Sequence, residues 1–96
     1  MKIVDKHPSE VILSEFMEQI KNTIDMYNNA DIDIKEKSLL RSQMEGFVKK
    51  LRYLQRQRYR EYINADGSVR DMPGSEEQLL REMTNLIVTM ERLISK

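Results

Sequence analysis

Residues 33–63, DIKEKSLLRSQMEGFVKKLRYLQRQRYREYI, decide the fold. Asp33 followed three residues later by Glu36 is a capping box, which starts a helix by satisfying its first free amides. Leu40, Met44, Phe47, Leu51 and Leu54 then recur at helical steps, with Val48 beside them. No proline interrupts the run, and Gly46 is its only interior glycine, a cost of about 1 kcal/mol relative to alanine. The spacing predicts one helix over about 33–63, roughly 45 Å long at 1.5 Å per residue.

Upstream, His7-Pro8-Ser9-Glu10 reads as a helix start, with proline tolerated in the first turn and serine or histidine available as a cap. Ile12, Phe16, Ile20, Ile24 and Tyr27, with Leu13 and Met17, fall on one face, and Glu15, Glu18, Asn22 and Asp25 on the other. This predicts a helix over about 8–29. Downstream, residues 64–74, NADGSVRDMPG, hold the turn dipeptides Asp66-Gly67 and Pro73-Gly74. A small hairpin of 62–64 against 68–70 fits there. Ser75-Glu76-Glu77-Gln78 reads as a second capping box and opens a last helix over about 75–95. Leu79, Met83, Leu86, Met90 and Leu93 recur along it at steps of four and three, flanked by Leu80, Ile87 and Ile94. The resulting face is roughly 140° wide, enough to touch two neighbours.

The expected fold is therefore all-α: a three-helix antiparallel arrangement with a long central helix, in a single domain. A chain of 96 residues buries only a thin core. That thinness, the wide face of the last helix and the overhanging end of the central one predict a homodimer.

The formal charge is zero, but it is segregated. Residues 1–36 carry net −4, residues 37–60 net +7 and residues 61–96 net −3. Six basic residues fall within Lys49–Arg60, KKLRYLQRQRYR, with two tyrosines among them. On a helical wheel Lys49, Arg52, Arg56 and Arg60 share the face opposite the apolar stripe, a line about 16 Å long, with Tyr53 next to it. Such a stripe suits an acidic protein surface or a phosphate backbone, and Arg favours forked contacts to either. Glu15, Glu18 and Asp25 of the first helix are the acids that would neutralise it. Arg58 points instead with the apolar stripe, where full burial demands an acidic partner unless the core ends there and the side chain snorkels to water. Together with Tyr59 and Tyr62 it marks the end of the central helix as a binding surface, since Tyr and Arg are enriched at hot spots.

No catalytic constellation emerges. Cysteine is absent, which excludes thiolate chemistry and disulfides. His7 is the only histidine, and Asp31, Asp33 and Glu36 read as turn and cap groups rather than a metal site. Asp66, Ser68 and Asp71 lack the closing Glu of a calcium loop. No apolar run reaches a membrane span and no leader is evident, so the expected setting is cytoplasmic, with no membrane, metal or cofactor. The expected function is that of a small non-enzymatic interaction protein: an adaptor, regulator or inhibitor binding another protein. Its surface would comprise Lys49, Arg52, Tyr53, Arg56, Arg58, Tyr59, Arg60 and Tyr62, together with the 64–74 loop. The alternatives are a nucleic-acid-binding module using the same stripe, or a self-associating structural subunit. A pI of about 6.6 weighs against a dedicated nucleic-acid binder.

Overall fold

The computed structural model describes residues 8–95, with side chains from residue 12 onward, so His7 lies outside it. It is all-α. Helix α1 spans Pro8–Tyr27, α2 spans Ile34–Arg60 and α3 spans Gly74–Ile94. No described helix is long and apolar enough to cross a membrane.

Helix α2 begins where the capping box places it. The Asp33 carboxylate accepts the Glu36 amide at 2.8 Å. Its buried face is Leu40, Met44, Val48 and Leu51, at steps of four and three. Gln55, Arg58 and Tyr62 continue that series, and all three are half-buried. The inward face of α2 thus turns from apolar to polar toward its end. On α3 the corresponding series is Met90, Ile87, Met83, Leu80 and Glu76. The two series meet in order. Arg41 donates to the Ile94 carbonyl, Gln55 to the Leu80 carbonyl, and Arg58 to Glu76. Positions advancing along α2 therefore meet positions receding along α3.

Helix α1 closes the third side with Leu13, Phe16, Met17 and Ile20 in the same apolar cluster. The Phe16 and Phe47 rings meet edge to face at 5.5 Å, an arrangement favoured by the ring quadrupoles. The Lys50 ammonium lies 4.8 Å from the Phe16 ring centre and that of Lys37 5.1 Å from Tyr27. Thr23 is the one buried polar residue among those described, and its hydroxyl donates to the Gln19 carbonyl at 2.9 Å. α3 touches both other helices, as its wide apolar face requires.

Four details depart from the sequence reading. Ile12 is 63% exposed, because it sits about 90° from the centre of the face made by Leu13, Phe16, Met17 and Ile20 at 100° per residue. α1 ends at Tyr27 rather than 29, and α2 at Arg60 rather than 63. Past Arg60 the chain tightens into i→i−3 bonds, from the amides of Glu61, Tyr62 and Ile63. The hairpin competes for this segment: the Arg70 amide donates to the Tyr62 carbonyl at 2.6 Å and that of Asn64 to Ser68 at 2.7 Å. Lastly, Ser75 does not cap α3. The helix starts one residue earlier, with Pro73 at its cap position and no side-chain cap bond.

Gly46 is exposed, and a Cβ built on it meets nothing within 4 Å. Gly46→Ala is expected to raise stability in urea unfolding by about 1 kcal/mol, the helix-propensity difference alone. A loss instead would mean that another chain approaches the helix at this position.

Candidate functional site

The chain from Glu61 to Pro73 joins α2 to α3, and its first half is a miniature hairpin. Asn64 and Gly67 close a turn through the Gly67 amide and Asn64 carbonyl at 2.9 Å. Gly67 follows with φ of +89°, a conformation only glycine adopts at little cost. This is the three-residue hairpin loop with its glycine in the left-handed position. It supports a single antiparallel bridge, Ile63 to Val69. Asp66 braces the turn by accepting the amide and hydroxyl of Ser68, at 2.9 and 2.6 Å. These bonds hold the Asp66 carboxyl below the usual aspartate range, the hydroxyl contributing most. The calcium-loop fragment is thus a self-satisfied turn.

Arg58 anchors the other half of the connection. Its Nε and one terminal nitrogen each donate to a carboxylate oxygen of Glu76 at 2.6 Å, a forked pair. The side chains are only 21% and 12% exposed. The inward direction of Arg58 was correctly read, but the core does not simply end there. Glu76, from the first turn of α3, meets it. One turn earlier, the Gln55 amide donates to the Leu80 carbonyl at 3.0 Å and to the Thr84 hydroxyl at 2.6 Å. The Thr84 hydroxyl in turn donates to Leu80 at 3.1 Å. Gln55 was not singled out from the sequence. The available signal was its place in the inward series of α2.

With these two polar layers fixed, the outer surfaces of α2, the connection and α3 enclose a groove of about 1040 Å³. Arg52, Arg56 and Tyr59 line it from α2, Val69 to Met72 from the connection, and Glu77, Leu80, Arg81 and Thr84 from α3. The expected site residues divide accordingly. Arg52, Arg56 and Tyr59 come together in this groove. Arg58 lies inside the helix contact, lining a separate cleft with Leu13, Met17 and Glu76. α1 therefore reaches the level of Arg58, so the end of α2 overhangs it less than the sequence reading expects. Lys49 borders a shallow depression with Val48, Val88 and Ile94. Tyr53 and Arg60 are exposed and line neither of these two clefts nor the groove. Tyr62 is half-buried beneath Arg70, whose guanidinium lies 5.9 Å from its ring centre.

Charge is also redistributed. Arg52 pairs with Glu91 of α3, not with the acids of α1. Arg81 pairs with Glu77 at 3.7 Å, in an exposed i,i+4 arrangement. Lys49, Arg56 and Arg60 form no ion pair with any described residue. The basic stripe is therefore interrupted at Arg52, and Arg70 from the connection joins the cations around the groove. Comparison with family models, curated proteins and solved structures gave no match.

Two tests follow from this geometry. Glu76→Ala strands a largely buried guanidinium and is expected to cost about 3 kcal/mol in denaturant unfolding. The joint Arg58→Met, Glu76→Leu replacement is expected to recover most of that loss; an unchanged stability in Glu76→Ala would show the pair to be solvated. For Asp66, whose folded pKa is depressed, the bracing of the turn is full above the unfolded pKa and is lost as pH falls through the folded one. The Ser68 amide resonance should titrate with a midpoint below the ordinary aspartate value, and a midpoint at or above that value would contradict the assignment.

Proposed function

We propose that this chain is a small non-enzymatic interaction protein that engages another protein through the groove at the end of α2. The observation carrying this reading is the composition of that groove. Arg52, Arg56 and Tyr59 stand beside Val69, Met72 and Leu80, so cations, an aromatic ring and apolar surface share one concavity. Arginine and tyrosine combine contact area with directional bonds, which is why they recur at protein–protein hot spots. Adaptor, regulator and inhibitor are roles such a surface can serve equally. A cytoplasmic setting remains part of this proposal.

The three helices are proposed to run antiparallel to their chain neighbours. The pairing of Tyr27 with Lys37 and of Phe16 with Lys50 supports this for α1 and α2. The descending order of partners on α3 supports it for α2 and α3. A nucleic-acid role is favoured less, because Arg52 turns to Glu91 and breaks the cation series that a phosphate backbone would follow.

Self-association is a second part of the proposal and rests on a different place. At the α1–α2 turn Met26, Ile34 and Leu39 are 56%, 86% and 67% exposed. Met26, Ile32 and Leu39 line a shallow depression there, suited to a second copy of the chain. A dimer formed at that end leaves the groove open at the other.

The test compares the tagged wild-type protein with an Arg56→Ala, Tyr59→Ala variant in nuclease-treated extract of the source cells, followed by reconstitution with each purified candidate. The expected result is a protein that binds wild type directly and is lost with the variant. Binding that disappears on nuclease treatment, or labelled duplex or single-stranded DNA binding more tightly than any protein, would overturn the reading. Sedimentation equilibrium of wild type and Leu39→Glu reads the second part: a dimer dissociated by Leu39→Glu is expected, and a monomer at all concentrations would exclude it.

A further inference from the structure

The groove also specifies what chemistry its occupant carries. From its two-sided lining we infer that it takes an acidic peptide segment of a partner protein bearing an apolar side chain; the inference rests on the proposal that the groove is a protein-binding surface. Arg52, Arg56 and Tyr59 stand at steps of four and three along α2, and Glu77, Leu80, Arg81 and Thr84 at steps of three, one and three along α3. Each wall therefore runs eight residues, seven helical rises or about 10 Å. That length fits two turns of a docked helix or a few extended residues.

Charge sets the sign of the occupant. Four arginines line the groove, at 52, 56, 70 and 81, against Asp71 and Glu77; with Arg52 paired to Glu91 and Arg81 to Glu77, the positive excess rests on Arg56 and Arg70 against Asp71. Neither Arg56 nor Arg70 forms an ion pair with a described residue, and the Arg70 guanidinium lies over the face of Tyr62. The Glu77–Arg81 pair is exposed on both sides. Exposed i,i+4 pairs of that kind are weak, so Arg81 can exchange its partner for a ligand carboxylate at little cost. Arginine forks match carboxylates geometrically, which a lysine at the same place would not.

The apolar part sets the class. Leu80 and Met72 are half-buried and Val69 is exposed, so the groove holds an apolar surface between its cations. A phosphate backbone laid there would leave that apolar surface wet. A peptide brings carboxylates for the arginines and a leucine-type side chain for Leu80, Val69 and Met72. This is the helix-in-groove type of recognition, with an apolar anchor and charges beside it.

The experiment titrates the full chain into four fluorescein-labelled probes at low and at physiological salt, read by anisotropy. The first is a glutamate-rich peptide with two central leucines. The second has those leucines replaced by serine, the third has its glutamates replaced by glutamine, and the fourth is oligo-dT. The first probe is expected to bind at micromolar concentration, and each of the other three at least about tenfold more weakly, equivalent to 1.4 kcal/mol. Arg56→Glu with Arg70→Glu should abolish binding. Arg60→Glu, outside the groove, should leave it within about twofold, and circular dichroism checks that both variants are folded. Equal binding of the leucine and serine peptides, preference for oligo-dT, or insensitivity to the Arg56/Arg70 reversal would overturn the inference. A protein captured through Arg56 and Tyr59 while all peptides fail would sink this inference alone. Failure of both experiments would remove the proposed function with it.

Discussion

The register between α2 and α3 is fixed by its polar layers. The inward series of α2 carries four buried apolar residues and then Gln55 and Arg58. Apolar layers tolerate sliding by a turn, because one leucine-sized contact resembles another. A fork of Arg58 on Glu76 does not, since a slip leaves both charges desolvated without partners. The same holds for Gln55, whose amide reaches one carbonyl and one hydroxyl on α3. An apolar replacement of similar volume would give about the same stability, but these layers select one alignment. That alignment decides where α3 begins, how the connection from 61 to 73 is stretched, and hence that Val69 to Met72 stand beside Arg56 and Tyr59.

The remainder of the core is soft by comparison. Met44, Met83 and Met90 are fully buried between aliphatic and aromatic neighbours. Methionine fills irregular gaps without demanding a particular geometry. A core of this kind supplies burial energy and leaves specificity to the polar end. The radius of gyration is 16.1 Å, against about 12.5 Å for a compact domain of this length. So open a shape leaves apolar side chains exposed, Ile34 and Leu39 among them.

Much of the fold was legible because helical periodicity is a local signal. The stripe from Leu40 to Leu54, the Asp33 cap and the turn residues around Gly67 each act within a few positions of themselves. The misreadings of charge come from competition with distant residues, whereas those of Ser75 and Ile12 are local. Glu76 looked like an ordinary acid at a helix start, and nothing near it in sequence indicates Arg58, eighteen positions away. Ser75 lost its capping role because the helix began one residue earlier, at Gly74. Arg52 looked like part of a continuous stripe until Glu91 came into place beside it. The groove was legible only as a neighbourhood. The end of α2 and the 64–74 loop were both marked, while the contribution of α3 through Leu80 and Arg81 had no local signal. Gln55 and Arg58 did have one: polar side chains standing at successive inward positions of an otherwise apolar series.

The central claim is that the polar layers, rather than the apolar core, hold the connection and the start of α3 in place. Amide hydrogen exchange in wild type and Glu76→Gln tests it most directly. The account predicts faster exchange confined to the Arg70 and Asn64 amides and to the first turns of α3, with the segment from Met44 to Leu51 unchanged. Exchange that rises uniformly through all three helices, or that does not change near Asn64 and Arg70, would contradict it.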